Sequence, residues 1–580
     1  MLKRLAQSIR EYKWAALLSP LFIAGEVVLE VLIPRLMANL IDNGVYLGQM
    51  NVAYKVGFEL ILAAMLSLLC GVLSGIFAAK ASSGFAKNLR KDLYYKVQEF
   101  SFANIDKFST ASLVTRLTTD VSNVQQAFQM IIRITVRAPL MLVFSLIMAL
   151  SINVKLSSVL LFVLPVVAFT LFFGMSRVHP LMTSVFKKYD NLNSVVEENV
   201  HGIRVVKSFV TEEKEKNKFN TVSTDIYNTF TKAEKIMAFT SPIMQFATYV
   251  CILGISWFGA NIIVKSNMTE LTTGQLSTFF TYIMQILSSL MMIAMIVIMM
   301  IMAIASGKRI SEVLDEEPSI KNPENPVKDV KNGDIEFKNV SFSYVGDKNK
   351  ECLKNINIKI KSGETIGIIG GTGSGKSSLV NLIPRLYDAT EGEVLVGDVN
   401  VKDYDIKSLR DNVANVLQKN VLFSGTIKDN IRWGNEDATD DEIIRVCKLA
   451  QADEFIKSFE DGYDTYIEQG GTNVSGGQKQ RLCIARALMK KPKILILDDS
   501  TSAVDTKTDS LIRKAFKEEI PDTTKIIIAQ RIASVEDADK IIVIDNGKID
   551  GFGTHEELIK TNEIYKEVYE SQVKGSDIDA

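Results

Sequence analysis

The first 306 residues are dominated by long apolar runs, and the rest of the chain alternates short apolar strands with charged helices. Six runs, at roughly 14–42, 53–80, 131–152, 156–175, 238–264 and 275–305, each reach the ~20 residues that a helix needs to cross the hydrocarbon of a bilayer. One such run can be a buried helix of a soluble protein. Six in one half of a chain read as membrane spans. At 580 residues the chain exceeds what one core holds, so at least two domains are expected. The first run is too long for a removable leader and lacks a small-residue cleavage site after it.

Basic residues orient the spans. Lys3, Arg4, Arg10 and Lys13 precede or open the first run, the turn at 43–52 has no Lys or Arg, and the segments 80–130 and 176–237 are rich in both. The N-terminus and the two long connections are therefore expected in the cytoplasm, and an even number of spans returns the C-terminal half to the same side. A net charge of −1 without a basic tail excludes nucleic acid as an expected partner. The five cysteines, Cys70, Cys251, Cys352, Cys447 and Cys483, show no metal-binding spacing and suit a reduced compartment.

The long connections keep helical periodicity (Leu89, Leu93, Val97; Val195, Val196, Val200), with no proline in 81–138 or 181–241. Each is expected to be an antiparallel helix pair reaching about 35 Å beyond the bilayer. The tips fall near Asp106–Ser112 and Phe209–Glu213. A self-contained helical hairpin is the alternative to a lever that contacts another domain.

In the second half, a strand at Ile335–Phe342 ends near Tyr344, an aromatic on which adenine can stack, although strand tyrosines often only pack. Strand Thr365–Ile369 leads into Gly370, Gly371, Thr372, Gly373, Ser374, Gly375, Lys376, Ser377 and Ser378, and a helix follows. This is a phosphate loop in its proper context. Glycines let backbone N–H groups converge on phosphate, Lys376 adds charge at the β- and γ-phosphates, and Ser377 offers a hydroxyl to Mg²⁺. A second apolar strand, Lys493–Leu497, ends in Asp498, placed to hold Mg²⁺, and Asp499. Gln418 lies on the loop between, as a sensor of metal or γ-phosphate or as a plain surface residue. Ser475, Gly476, Gly477 and Gln478 open another helix and form a second anion site. Two phosphate sites with one phosphate loop imply a sandwich, each ATP lying between the loop of one copy and the Ser-Gly-Gly segment of another.

These residues carry a resemblance over the whole chain. Phosphate loop, Gln418, Val474–Gln478, Asp498 and Ser502-Ala503-Val504-Asp505 stand in the order and approximate spacing of a half-transporter of the ABC exporter superfamily, with Val474 where leucine is usual. The resemblance implies an α-helical six-span domain followed by an α/β P-loop ATPase, coupling helices at the tips, a domain-swapped dimer, and a D-loop at Asp505. The implied division is 1–310 transmembrane, 311–333 linker with Pro318, Pro323 and Pro326, 334–572 nucleotide-binding, and 573–580 tail.

The chain departs from the family where hydrolysis is done. Asp499 stands at the general-base glutamate and Gln530 at the switch histidine, as in the degenerate-site subunit of heterodimeric bacterial multidrug exporters. Aspartate is one methylene shorter, and a ~1 Å misplacement can cost ~10²-fold in rate. Gln530 donates a neutral hydrogen bond but cannot become cationic. The expectation is a slow site here and a fast site formed by a partner's loop and glutamate with this chain's Ser475–Gln478. An active homodimer using Asp499 is the alternative.

In the membrane half, Glu26 and Glu30 lie one turn apart in the first span, where a carboxylate costs ~2.5–3.5 kcal/mol unless it faces a cavity or a partner. They read either as contacts for cationic substrate or as partners of Arg137 or Arg35. Seven of the 20 methionines (Met284, Met291, Met292, Met295, Met299, Met300 and Met302) fall in the last span. Their adaptable side chains suit varied apolar ligands, with Met291 and Met295 as cavity candidates, although plain packing accounts for most. The resemblance implies export of hydrophobic or amphipathic compounds across the cytoplasmic membrane. Lipid or peptide export and a regulatory ATP-binding subunit stand beside it. Fusion of spans to the ATPase disfavours an importer.

Overall fold

The computed structural model describes residues 1–499 and 503–576. The chain divides into two compact units, one of Met1–Gln98 and Thr110–Glu316, the other of Glu99–Ser109 with the residues from Glu317 onward. The tip at residue 99–109 thus groups with the second unit, although sequence position places it among the spans.

In the first unit six helical stretches are long and apolar enough to cross a membrane, beginning at Lys3, Met50, Thr110, Val154, Glu212 and Thr273. In hydrocarbon every backbone N–H and C=O needs an internal partner, and a helix supplies one to each. Pro20, Pro34, Pro139, Pro165 and Pro180 sit inside these helices. Val27, Val31, Leu160, Cys251, Ile255, Phe279, Tyr282 and Ile286 interlock in the interior. On the outside, Phe162 (77% exposed), Phe172 (76%) and Leu253 (69%) point away from any protein neighbour. Exposed aromatic and aliphatic faces of this extent belong against lipid, not water.

Both tips carry a short helix just before the chain turns. Helix Met50–Gln98 ends, Ser101 and Asn104 close a reciprocal cap, and a new helix runs Phe102–Lys107. The chain turns between Phe102–Lys107 and the next helix, Thr110–Thr115, inside the expected Asp106–Ser112. The second tip is the helix Ile203–Ser208, and the chain reverses through Val210 at φ +52°, inside the expected Phe209–Glu213. The last span continues as one helix, Thr273–Asp315.

The described residues of the second unit form twelve strands. β1 (Ile335–Phe342), β2 (Leu353–Ile360), β4 (Glu391–Val396) and β5 (Val399–Asn400) form an antiparallel sheet in the order β2-β1-β4-β5, and β7 (Gly425–Thr426) pairs β8 (Tyr466–Ile467). The central sheet has the order β12-β11-β3-β10-β9-β6, from β3 (Thr365–Gly370), β6 (Val413–Val416), β9 (Ile494–Asp498), β10 (Thr524–Ile528), β11 (Lys540–Asp545) and β12 (Lys548–Gly553). All neighbours but β11 and β12 are parallel. Ile494 and Ile496 enter one core while Leu495 and Leu497 enter the other. Burial on both faces explains why these strands read as unbroken apolar runs instead of alternating ones.

Candidate functional site

Parallel pairing assembles the site. Ile528 of β10 lies opposite Ile368 of β3 on one side and opposite Asp498 of β9 on the other. The segments that leave these strands, Gly370 onward, Asp499 and Gln530, therefore emerge together at one edge of the sheet, where ligands of open α/β folds bind.

The phosphate loop has the backbone its glycines permit. Gly373 and Gly375 take φ of +80° and +106°, and a Cβ on Gly375 would lie 2.8 Å from the Cys352 carbonyl. Lys376 Nζ donates to the carbonyls of Gly370 and Gly371, each at 2.7 Å. Ser374 Oγ is buried without a hydrogen-bond partner among the described residues, a hydroxyl free to donate to a ligand oxygen. Ser377 Oγ donates to Asp498 Oδ1 at 3.1 Å, which joins the two candidate metal ligands directly. Burial pushes the Asp498 carboxyl above its ordinary value, opposed by the Ser377 hydrogen bond and reinforced by the neighbouring Asp499. Burial likewise pushes Lys376 down, against the pull of Asp498 and Asp499. The half-buried Ser377 hydroxyl and the buried Asp498 carboxylate are hard oxygen donors of the kind Mg²⁺ takes beside phosphate, so the residues fit that ion.

Asp499 and Gln530 are bonded to each other. Gln530 Nε2 donates to Asp499 Oδ2 at 2.9 Å. Asp499 takes φ +47°, a left-handed conformation that aspartate tolerates better than most residues, and its N–H donates to the Ile528 carbonyl at 3.0 Å. Gln418 is exposed beyond the end of β6 and, among the described residues, makes no hydrogen bond to Ser377 or Asp498.

Tyr344 is half exposed, with its hydroxyl 3.0 Å from Ser378 Oγ and its ring edge-on to Tyr387 at 5.0 Å. Tyr387 had no motif to announce it. Its hydroxyl donates to Asp106 of the tip helix at 2.6 Å, and its ring meets Phe102. Burial, then Asp106, raises the Tyr387 phenol, so it stays a donor. An aromatic path thus runs from Tyr344 through Tyr387 to the tip helix inside one compact unit.

Ser475 caps the helix Gly476–Leu488, with Gln478 closing the reciprocal bond, Ser475 N–H to Gln478 Oε1 at 2.9 Å. A Cβ on Gly477 would lie 2.7 Å from the Ala503 carbonyl, so this helix start packs against the segment before Asp505. Asp505 caps the next helix through the Thr508 amide at 2.9 Å. Ser502 lies outside the described residues. No hydrogen bond among the described residues ties Ser475–Gln478 to the phosphate loop.

In the membrane unit the open question about Glu26 and Glu30 has a clear geometry. Arg137 Nη1 donates to Glu26, and Arg137 Nη2 donates to both oxygens of Glu30 at 2.8 Å. The pairing partner is Arg137, not Arg35. Met291 and Met295 are exposed along their span, and the side chain of Met302 lies outside the description.

A phosphate loop whose serine meets a buried carboxylate across a parallel sheet, fused to six membrane-length helices, defines a membrane-embedded transport ATPase. Sequence comparison is specific about which. The profile of the ABC transporter transmembrane region matches residues 16–290 and that of the ABC transporter ATPase matches residues 353–502. The chain is 37% identical over 564 residues to the uncharacterized ABC transporter ATP-binding protein YfiB of Bacillus subtilis, covering 97% of each. It is 33% identical over 585 residues to a putative multidrug export ATP-binding/permease protein of Staphylococcus aureus, covering 99% of this chain and 100% of that one. The chain belongs to the ABC transporter family, with transmembrane and ATPase regions in one polypeptide. Its fold matches that of a bacterial Atm1-family ABC exporter solved with ATP bound, with a TM-score of 0.81 at 22% identity, over 97% of this chain and 98% of that one.

Proposed function

We propose that this chain is one half of a heterodimeric exporter of hydrophobic or amphipathic compounds, with its own ATP site hydrolytically impaired. The observation that carries the reading is the hydrogen bond between Gln530 and Asp499. Both side chains that would act on the γ-phosphate and the attacking water are engaged with each other. Hydrolysis needs groups that strengthen their contacts in the transition state, whereas Lys376 and Ser377 hold ground-state ATP. Such a site retains nucleotide and turns it over slowly. Ser377 and Asp498 would hold Mg²⁺, which would supply charge neutralisation at the β- and γ-phosphates.

A dimer accounts for two further features. Ser475–Gln478 would complete the partner's ATP site, and the exposed apolar tip of Ile203, Val205, Phe209 and Val210 needs a cover. The partner would carry the consensus Glu/His pair. The chain would sit in the cytoplasmic membrane with its N-terminus and ATPase unit in the cytoplasm. The multidrug description of the S. aureus relative favours small amphipathic cargo.

The test is ATP turnover of the purified full-length chain, of Asp499→Glu/Gln530→His, and of the chain co-purified with its partner. A nearly inactive single chain, rescue by the double change and high activity with the partner support the proposal. Turnover by the wild-type chain alone that equals the partnered complex replaces it with a homodimer using Asp499.

A further inference from the structure

β10 ends its ladder at Ile528, where Ala529 N–H still reaches the Ile368 carbonyl at 3.3 Å. Beyond it the backbone of residues 530–532 has left the sheet and needs other partners. One side chain supplies them. Gln572 Nε2 donates to the Gln530 carbonyl at 2.9 Å, and Gln572 Oε1 accepts from the Ile532 N–H at 2.8 Å. A single primary amide pairs the donor and the acceptor that flank Arg531, as a neighbouring strand's peptide would.

The clamp comes from a fixed support. Gln572 lies on the helix Glu563–Ser576, two turns after Tyr565 and so on the same face. Tyr565 is fully buried, its hydroxyl meets His555 Nδ1 at 2.7 Å, and its N–H is capped by Asn562 at 2.8 Å. Farther along the same loop, Ser534 Oγ donates to the buried Asp509 at 3.0 Å. The segment carrying Gln530 is thus held from two helices, and its side chain reaches Asp499 from that position.

We propose that Gln572 is a positioning residue for hydrolysis, which sets the location of side chain 530 at the γ-phosphate from the C-terminal helix. The proposal rests on position 530 facing the γ-phosphate, but not on the site being impaired. It makes the last helix of the chain a control point. Any ligand or contact that pulls Gln572 away would slow the chemistry without weakening ATP binding.

The experiment compares Gln572→Ala and Gln572→Glu in the full-length chain, in both the wild-type and the Asp499→Glu/Gln530→His backgrounds. Single-turnover hydrolysis, equilibrium ATP affinity and amide exchange at Ile532 are measured together. Gln572→Ala should raise exchange at Ile532 by about 10-fold while the core strand at Ile527 is unchanged. It should lower the single-turnover rate about 10- to 100-fold, the scale of a ~1 Å misplacement, with ATP affinity within about 2-fold. Gln572→Glu keeps the acceptor for Ile532 and loses the donor to Gln530, so exchange stays low while the rate falls part of the way. Unchanged exchange in Gln572→Ala overturns the clamp. Raised exchange with an unchanged rate in both backgrounds leaves Gln572 a structural residue and overturns its positioning role. Failure of the double change to raise the wild-type rate bears on the impaired-site reading alone, since single-turnover rates resolve the effect of Gln572 in either background.

Discussion

Removing Arg137 asks what Glu26 and Glu30 are for. Two acidic side chains share one guanidinium, and the contacts are unequal. Glu30 receives two bonds at 2.8 Å, while Glu26 receives one and keeps its second oxygen without a hydrogen-bond partner among the described residues. The side chains of Arg137, Glu26 and Glu30 are 23%, 11% and 27% exposed, so solvent screens them weakly. Deleting one member of a buried ionic group costs about 3–5 kcal/mol when it strands the opposite charge, whereas replacing the whole group with neutral residues is often tolerated. Arg137→Met should therefore be the most damaging single change. Glu30→Gln should cost about 2 kcal/mol by breaking the two-bond pair, and Glu26→Gln less than about 1 kcal/mol, because Arg137 and Glu30 remain matched one to one. The triple change Arg137→Met/Glu26→Gln/Glu30→Gln should recover most of the loss. The assay is the midpoint of thermal unfolding in lipid nanodiscs, followed by tryptophan emission, with substrate-stimulated ATPase measured alongside. A triple variant as unstable as Arg137→Met refutes the electrostatic argument. Loss of stimulation in Glu26→Gln at unchanged stability would return this carboxylate to the substrate.

Three further expectations come from the ATPase unit. Because burial raises the Asp498 carboxyl above its ordinary value, its ionised form weakens the nucleotide-free fold, and the penalty is present above the folded-state pKa and vanishes as pH falls to the unfolded value. Asp498→Asn should therefore raise the unfolding midpoint at pH 7 without nucleotide, lose that advantage in acid, and abolish Mg²⁺-dependent ATP binding in a nucleotide-binding titration. Tyr387→Phe removes the hydroxyl that meets Asp106 and should leave basal turnover within about 2-fold while lowering stimulation by cargo, measured as the ratio of the two rates; a hydrogen bond to a charged group is worth at most about 1.5–3 kcal/mol, less at this exposed carboxylate. In a double-mutant cycle of Asp499→Glu and Gln530→His, the two changes should be non-additive by more than about 0.5 kcal/mol, because the side chains touch.

Most of this was legible in the sequence, for identifiable reasons. Spans are written in long apolar runs because hydrocarbon leaves a chain few alternatives, and the phosphate loop is written in glycines because the Gly375 backbone admits little else. The strands β1, β3 and β9 fell within a residue of their expected ends. Less legible was anything set by contact across long sequence distance. The choice of Arg137 over Arg35 depends on how two helices rotate against each other, which their composition does not encode. Tyr387 and Gln572 carry no motif, since a tyrosine after a helix and a glutamine in a surface helix are ordinary, and their roles arise 281 and 42 residues away at Asp106 and Gln530. The short helix at the first tip carried no readable start signal, because Ser101 and Asn104 cap each other, a pair outside the usual Glu/Gln pattern of such boxes.

The pairing of Asp499 with Gln530 gives the two substitutions one physical meaning. Each alone reads as a weakened catalytic group. Together they fit in length: the shorter carboxylate sits back toward the strand end, held by its N–H to Ile528, and the glutamine amide reaches it at 2.9 Å. A glutamate at 499 would carry its carboxylate about one methylene, roughly 1–1.5 Å, farther out, past that amide and toward the place where an attacking water has to be oriented. A histidine at 530 would present a ring nitrogen, protonatable near neutral pH, where the amide now offers a neutral N–H. The amide commits one N–H to Asp499 Oδ2. In a half-transporter with an impaired site, as proposed above, this pairing would favour holding ATP over hydrolysing it.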